Sequence, residues 1–352
     1  MGGVADPGKC VETNNEATTC QWPNTEHGIY VDDHMNVWLG GQAGGAVLKF
    51  SANGQFLMQI GRRQPPVRNS NLTGGGVRGT PLLGQPADLE GDLAENEMYI
   101  ADGYTNLRVL VVNATTGMYK RHFGAYGQNP VNDAVVPAYN KNQTPSMQFA
   151  NPVHAVKVTN DGLVYVADRV NNRIQVFDKK KVGAVCQNPN RTPGVCGFVK
   201  EIFLDRETLG PGAAWDVDTS PDHRQKYLYN ADGSNNYIAV LNRQTGAILS
   251  TFGRNGRSAG QFHWVHNMDA DSNGNLYTAD GVSQRNHATT VTGRDAIAES
   301  QNALFSQFTV KVEIAADETM TMGDFGFDRG SYRMILTPKA GGEVDKERLT
   351  QV

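Results

Sequence analysis

The sequence lacks the features that would place the protein in a membrane or on a nucleic acid. No apolar run approaches the roughly 18 residues needed to cross a bilayer, and no basic tract accompanies the net charge of −4. We therefore expect no membrane span and no nucleic-acid partner. Helix signals are also scarce, and the best candidate for a helix is the run from Gly293 to Phe308.

Cysteine is rare, and its four copies fall into two local pairs, Cys10 with Cys20 and Cys186 with Cys196. Each pair has nine residues between its members, unlike the close C-x₂₋₄-C spacing of a zinc site. The pattern favours disulfides over free thiols in a cytosolic protein. We therefore expect an exported protein, periplasmic or extracellular, although the start MGGVADPGKC lacks the basic and apolar regions of an export signal.

Glycine, in contrast, is abundant, with 39 copies in 352 residues, and it recurs in a repeated pattern. The segments EMYIADG, LVYVAD, YLYNADG and NLYTADG are versions of one strand that ends in a turn. A short strand precedes each version, and apolar strands follow most of them. Four short antiparallel strands per unit, repeated along a chain, are typical of β-propeller blades.

The repeat predicts an all-β protein with a six-bladed β-propeller, of which five units are visible and the closing blade is incomplete or irregular. The units begin near residues 27, 87, 153, 214 and 265. We divide the chain into an N-terminal segment (1–24) with a predicted disulfide, the propeller (25–281) and a divergent C-terminal segment (282–352). The last segment contains strand-like runs that either complete the ring or form a separate extension.

Three histidines share one position in alternate units. His27, His154 and His266 each begin the innermost strand of their unit, where units two and four have Ala87 and Trp215. Innermost strands line the channel of a propeller, and alternate blades of six lie about 120° apart. Three imidazoles at one depth would form a metal site with an open fourth position, zinc being the first expectation. The alternative is that each histidine is a polar residue satisfied at a strand start.

The repeated blocks also resemble a known family. The stretches EHGIYVD, MYIADGYTNLRV, QFANPVHAVKV, LVYVADRVNNRIQVF and GQFHWVHNMDADSNGNLYTAD are similar to NHL-repeat propellers. More closely, they resemble the catalytic domain of the peptidyl-α-hydroxyglycine α-amidating lyase family, over about residues 22 to 281. The resemblance implies a six-bladed propeller that holds zinc on three channel histidines and cleaves a peptidyl-α-hydroxyglycine to a peptide amide and glyoxylate.

The resemblance also implies roles for individual residues. The zinc ligands correspond to His27, His154 and His266, the catalytic tyrosine to Tyr104, and an active-site arginine to Arg169. Zinc would polarise the substrate hydroxyl, and Tyr104 would remove its proton through a depressed pKa. Arg169 would pair with a carboxylate or a developing oxyanion.

Three departures from the family are visible in the sequence. The family aspartate that helps to bind a deeper calcium ion is Asn267 here, which weakens the expectation of calcium although an amide oxygen can still coordinate it. Trp264 replaces a methionine and would narrow the pocket. The family's first blade, which supplies another arginine, has little counterpart before His27, so a truncated N-terminus and a differently closed ring are both open.

Two other functions remain alternatives to a lyase-like enzyme acting on a small polar or peptide substrate. The first is a non-catalytic NHL propeller that binds a protein or a glycan through its loop face, since the loops 62–84 and 125–148 are long. The second is a calcium-dependent lactonase-like propeller. It would use Asp88 and Asp216, which lie one residue past the histidine position in units two and four.

Overall fold

A computed structural model of the chain describes residues 20–23, 25–63, 74–130, 136–256, 260–272 and 274–278, and the backbone of strands between 282 and 350. Across these residues the protein is an all-β propeller, as the repeat predicts. The helical elements found there are single 3-10 turns, at Val77–Gly79, Leu93–Glu95, Ala125–Gly127 and Val195–Gly197. Residues 293–307 of the predicted helix lie outside the described residues, and Phe308 begins a strand.

Four complete units follow one another, and each is a four-stranded antiparallel sheet whose strands pair in chain order. This order is what short turns between sequential strands produce. The strands are β1 (Thr25–Val31), β2 (Val37–Ala43), β3 (Ala46–Phe50) and β4 (Phe56–Gly61) in unit one; β5 (Asp88–Asp92), β6 (Glu97–Asp102), β7 (Arg108–Asn113) and β8 (Tyr119–Phe123) in unit two; β9 (Val153–Val158), β10 (Leu163–Asp168), β11 (Arg173–Asp178) and β12 (Phe198–Phe203) in unit three; β13 (Asp216–Thr219), β14 (Tyr227–Asp232), β15 (Tyr237–Asn242) and β16 (Ile248–Phe252) in unit four.

The fifth unit begins with a two-stranded sheet, and two further sheets of described strands follow it in the chain. These are β17 (Met268–Ala270) paired with β18 (Leu276–Thr278), β19 (Val282–Ser283) paired with β20 (Val291–Thr292), and a sheet of β21 (Phe308–Met322), β22 (Phe325–Pro338) and β23 (Asp345–Thr350). The strand-like runs of the C-terminal segment are therefore strands. Whether they complete the ring stays a prediction, as do the segment boundaries.

The hydrophobic core lies between consecutive sheets. Both faces of a central blade strand are buried, which is why β6, β7, β10 and β11 are nearly continuous apolar runs. Between units two and three, for example, Tyr99 and Val111 pack with Val166 and Phe177. Similar clusters join units one and two (Trp38, Val47, Leu89, Met98), three and four (Tyr165, Ile174, Val217, Leu228), and four and five (Ile238, Val240, Val265, Met268).

The aspartates of the repeated turns tie each unit together internally. Asp102 is fully buried and accepts hydrogen bonds from the Gly84 amide (2.8 Å) and from Arg108 Nε (3.0 Å). Asp168 does the same in unit three, with the Ala150 amide and Arg173 Nε, both at 2.8 Å. These recurrent aspartates are thus structural, because a buried carboxylate persists only where donors and a cation satisfy it.

The disulfide predicted for the second cysteine pair is present, between Cys186 and Cys196. Cys10 lies outside the described residues, so its pairing with Cys20 stays a prediction. Among the described residues no helix has the length and the apolar content needed to cross a bilayer.

Candidate metal centre

The three histidines that share one register come together at the centre of the described units. The sequence predicts that each of them begins its strand, but none does: His27 is the third residue of β1, His154 is the second residue of β9, and His266 precedes β17 by two residues. Their ring centroids are 5.1 Å (His27–His154), 4.8 Å (His27–His266) and 4.7 Å (His154–His266) apart. Residues that are more than a hundred positions apart in sequence therefore face one point.

Backbone carbonyls of the neighbouring units orient two of the rings. His27 Nδ1 bonds the carbonyl of Ala87 at 2.5 Å, and His154 Nδ1 bonds the carbonyl of Trp215. A carbonyl only accepts, so Nδ1 of each ring carries the proton and Nε2 carries the lone pair. Ala87 and Trp215 occupy the histidine register in units two and four, so each even unit supplies the acceptor for the ring before it.

The third ring is oriented by a side chain instead. His266 Nδ1 bonds Oδ1 of Asn267, which again leaves Nε2 with the lone pair. Burial, followed by Arg169 and the other two histidines, holds the pKa of His154 well below its ordinary value. A histidine that binds a metal ion is neutral and usually donates its other ring N–H to an acceptor, as these rings do.

The donor set fits a single metal ion. One ligand atom from each histidine lies within 4.8 Å of the other two. Bonds of about 2.0–2.1 Å to zinc would bring the nitrogens closer, by a movement of roughly 1 Å. The three histidines are thus a group that can hold a metal ion.

Tyr104 lies against two of the ligands. Its hydroxyl is 3.1 Å from His27 Nε2 and 3.0 Å from His154 Nε2, and Arg169 Nη1 is 3.4 Å from the same oxygen. The expected depression of the Tyr104 pKa does not arise from the protein groups, because burial raises this pKa and Arg169 only opposes the rise. A phenolate at this position needs a further positive charge.

Arg169 occupies a position where units two and four have glycine. A Cβ at Gly103 would lie 1.8 Å from the carbonyl oxygen of Val153, and one at Gly233 would clash with Trp215. In unit three the guanidinium lies 4.4 Å from the ring centroid of Trp215. Its Nε is buried and has no hydrogen-bond partner, and burial lowers the pKa of this arginine.

A contrast with Arg173 shows what is unusual about Arg169. Arg173 is fully buried and paired with Asp168 at 2.8 Å and with Glu201 at 3.2 Å. Among the described residues no carboxylate pairs with Arg169 in this way. A half-buried cation that is not neutralised by the protein is a binding group for an anion.

Two aspartate side chains accept hydrogen bonds from backbone amides of the following unit, and these links between units were not predicted from the sequence. Asp88 Oδ2 accepts from the Val156 amide at 3.0 Å, which joins units two and three. Asp216 Oδ2 accepts from the Met268 amide at 2.7 Å, which joins units four and five. The signal in the sequence is an aspartate one residue past the histidine register in both even units, which the lactonase-like alternative assigns to calcium. These bonds favour a structural role for it.

Further along β9, an ammonium group balances acidic side chains. Lys157 Nζ lies 2.9 Å from Asp218 and 3.3 Å from Glu90. Burial is the main cause that raises the pKa of Glu90 to about 7, while Lys157 opposes it. Two aspartates and a histidine of the turn after β1 form another group with metal-ligand atoms, Asp32, Asp33 and His34. Asp32 there accepts from the Asn36 amide (2.8 Å) and Trp38 Nε1 (3.1 Å), which is the pattern of a capped turn.

The fold and the repeat define the class of protein: residues 153–177 match the NHL repeat, in a β-propeller. The expected resemblance to amidating enzymes is confirmed, since the chain is similar to peptidyl-glycine alpha-amidating monooxygenases B and A of Xenopus laevis. Each is 26% identical over 256 residues, or 72% of this chain and 25% and 23% of the respective relative. The chain thus spans about a quarter of the length of these relatives.

Solved structures of low sequence identity also match. Hydrazine synthase of Kuenenia stuttgartiensis is 14% identical, with a TM-score of 0.42 over 94% of this chain and 68% of that chain. A streptogramin B lyase structure is 9% identical, with a TM-score of 0.44 over 94% of this chain and 85% of the other.

Proposed function

We propose that the protein is a metal-dependent lyase that acts at the channel on a peptidyl-α-hydroxyglycine or a similar small polar hydroxy compound. The observation that carries this proposal is the set of three histidines whose Nδ1 atoms are all bonded to acceptors. Each Nε2 then carries a lone pair that can bind one cation beside Tyr104 and beside Arg169, which no carboxylate of the described residues neutralises. The similarity to amidating monooxygenases supports the substrate class.

His27, His154 and His266 would hold the metal, for which zinc is the first candidate given three imidazole ligands. When bound, zinc supplies Lewis acidity that lowers the pKa of a substrate hydroxyl. The hydrogen bonds from Nδ1 of each ring to its acceptor would keep the three rings in place while substrate binds and product leaves. No corresponding set of calcium ligands is evident among the described residues, since Asn267 is engaged with His266.

Arg169 and Tyr104 would act on the substrate directly. The guanidinium of Arg169 pairs with the substrate carboxylate and orients the hydroxyl-bearing carbon. A metal ion on the three histidines would supply the positive charge that lets Tyr104, whose pKa burial raises, act as a phenolate. The phenolate would take the hydroxyl proton as the carbonyl of glyoxylate forms and the carbon–nitrogen bond breaks, and it would return this proton to the leaving amide nitrogen. Proton transfer of this kind is general acid–base catalysis.

The test combines metal content with product formation. Purified protein should contain about one zinc ion per chain and should release glyoxylate from an N-acetylated α-hydroxyglycine peptide. His154→Ala should lose both properties, whereas His223→Ala should keep both, because His223 is exposed and lies away from the three histidines. Near-UV circular dichroism checks that each variant is folded.

Either of two results would end this proposal. One is a wild-type protein without stoichiometric metal under metal-replete conditions. The other is glyoxylate release that persists in a folded His154→Ala variant.

A second candidate function is binding through the loop face. The loop residues 136–148 pack on unit three, where Pro137, Tyr139, Pro145 and Arg206 line a surface groove. A loop that is held in place can present a binding surface. This function predicts that histidine variants keep partner binding and that changes in the groove abolish it.

We also propose that the protein is exported. The Cys186–Cys196 disulfide supports this location, because structural disulfides persist in oxidising compartments.

A further inference from the structure

Trp264 has a strained backbone and an exposed side chain. Its φ is 62°, in the left-handed region that bulky residues rarely adopt. Such a conformation is unfavourable for a bulky residue and persists where the surrounding structure enforces it. The indole is nevertheless 50% exposed, so burial of this side chain does not account for the conformation.

Asn236 holds this backbone in place. Its Oδ1 accepts a hydrogen bond from the Trp264 amide at 2.6 Å. Asn236 is itself buried and is left-handed, with a φ of 60°. The position of Trp264 is therefore set by a buried residue of the neighbouring unit rather than by its own packing.

The direction in which Trp264 is held brings it to the wall of the candidate metal centre. Its ring meets Trp215 edge to face, with centroids 5.2 Å apart and an interplanar angle of 86°. The buried Trp215 in turn lies 5.3 Å from the His266 ring and 4.4 Å from the Arg169 guanidinium carbon. One indole thus contacts the exposed tryptophan, a metal-site histidine and the unneutralised arginine.

A ligand at this wall would meet two different surfaces. Arg169 offers a charge for a carboxylate and the exposed part of Trp264 offers apolar area, and both side chains contact the same indole of Trp215. A binding site usually combines apolar area with a few polar groups that fix orientation. An exposed, rigidly held indole is an efficient contact, because little side-chain entropy is lost when it packs against a ligand.

We infer that Trp264 is a specificity-determining residue, which packs against an apolar side chain preceding the carboxylate-bearing end of a peptide ligand. This inference rests on the proposed function for its substrate class. It adds a preference: peptides with a large apolar residue at the penultimate position should bind more tightly than those with glycine there.

The experiment uses two peptides that the proposed reaction cannot cleave, N-acetyl-Phe-Gly and N-acetyl-Gly-Gly. Calorimetric titration of the metal-loaded protein should give about tenfold tighter binding of the phenylalanine peptide, the range expected when an aromatic group packs on an aromatic wall. Trp264→Ala should reduce this ratio to about twofold or less, mainly by weakening the phenylalanine peptide. Trp264→Leu should give an intermediate ratio, since it keeps part of the apolar area.

Tyr277→Ala is the matched control. Tyr277 is an aromatic residue of the same unit with 59% exposure, and its hydroxyl bonds Asp271 rather than the wall. Its removal should leave the ratio unchanged. Asn236→Ala, which keeps the indole and removes the bond that holds it, should lower the ratio as well.

The outcomes separate this inference from the proposed function. Equal binding of the two peptides by the wild type, or an unchanged ratio in a folded Trp264→Ala variant, would overturn the role of Trp264 even if glyoxylate release depends on His154. A tenfold ratio that Trp264→Ala removes would support that role, and would do so even if no α-hydroxyglycine peptide is cleaved.

Discussion

Odd and even units use the same register for different purposes. Units one, three and five place an imidazole there, whereas units two and four place Ala87 and Trp215, whose carbonyls accept from His27 and His154. One residue later, the even units carry Asp88 and Asp216, which bond the amides of the following unit. The comparison shows different roles: odd units supply the three histidines, and even units supply the acceptors for two of them and the links to the following units.

The largest expected effect concerns the turn position where even units need glycine. Gly103→Ala should destabilise the protein by about 3 kcal/mol or more, because the added carbon would lie 1.8 Å from the Val153 carbonyl oxygen. Denaturant unfolding measures this loss. Gly210→Ala is the control, with a φ of +70° and nothing within 4 Å, and should cost only about 1 kcal/mol. Equal costs for the two variants would contradict the steric explanation.

The next largest effect concerns the aspartates that accept hydrogen bonds from amides of the following unit. Asp216→Ala should cost about 2–3 kcal/mol in unfolding free energy, since the amides of Met268 and Val217 lose their acceptor. Burial, with Asp88, raises the pKa of Asp216 well above its ordinary value. Asp216→Asn is uncharged but keeps only one acceptor oxygen for the two amides, so it should cost about 1–2 kcal/mol, less than Asp216→Ala. If asparagine proves as damaging as alanine, the link depends on charge rather than on the accepted hydrogen bond.

A smaller effect concerns His266, whose ring is oriented by a side chain rather than by a backbone carbonyl. Asn267→Leu should weaken zinc binding by roughly 10-fold or more, because His266 Nδ1 loses its acceptor. Asn267→Asp should keep or increase the affinity, since a carboxylate accepts more strongly. Competition with a chromophoric chelator gives both constants. Unchanged affinity in the leucine variant would show that Asn267 does not orient the ring.

The smallest effect is a pH dependence set by Glu90. Burial raises its pKa to about 7, with Asp218 and Asp88 adding to the rise and Lys157 opposing it. Because the folded pKa lies above the unfolded value near 4.5, the stability contributed by Glu90 is complete below that pH and is lost as pH rises towards 7. Glu90→Gln cannot ionise and should not lose this stability. The unfolding free energy of the variant minus that of the wild type should therefore increase by roughly 1–2 kcal/mol between pH 5 and 8. If this free-energy difference is constant between pH 5 and 8, Lys157 keeps Glu90 ionised over the whole range.

Much of the fold follows from the sequence because the repeat is carried by local signals. The Ala-Asp turns mark the ends of β6, β10 and β14, and apolar alternation marks the strands around them. The shared histidine register follows from the same periodicity. Its convergence on one point needs only the ring arrangement of the units, a property of the repeat rather than of any single residue.

Other parts of the site could not be predicted, for identifiable physical reasons. The acceptors for His27 and His154 are backbone carbonyls, which every residue possesses, so side-chain identity carries no signal for them. The pKa of Tyr104 depends on how deeply its ring is buried, and burial is a tertiary property. Trp264 is left-handed because Asn236 bonds its amide across two units, a contact that no local pattern encodes.

Main-chain carbonyls hold the rings of His27 and His154, so at residues 87 and 215 the backbone orients a histidine while the side chain can serve another role. The peptide oxygen of residue 87 or 215 survives any substitution there that leaves the strand in place. This bond therefore does not fix the identity of the side chain, which is alanine in one even unit and tryptophan in the other. A scaffold of this kind can be retuned for new ligands by altering the walls of its cavity, with the chemistry at the axis left undisturbed.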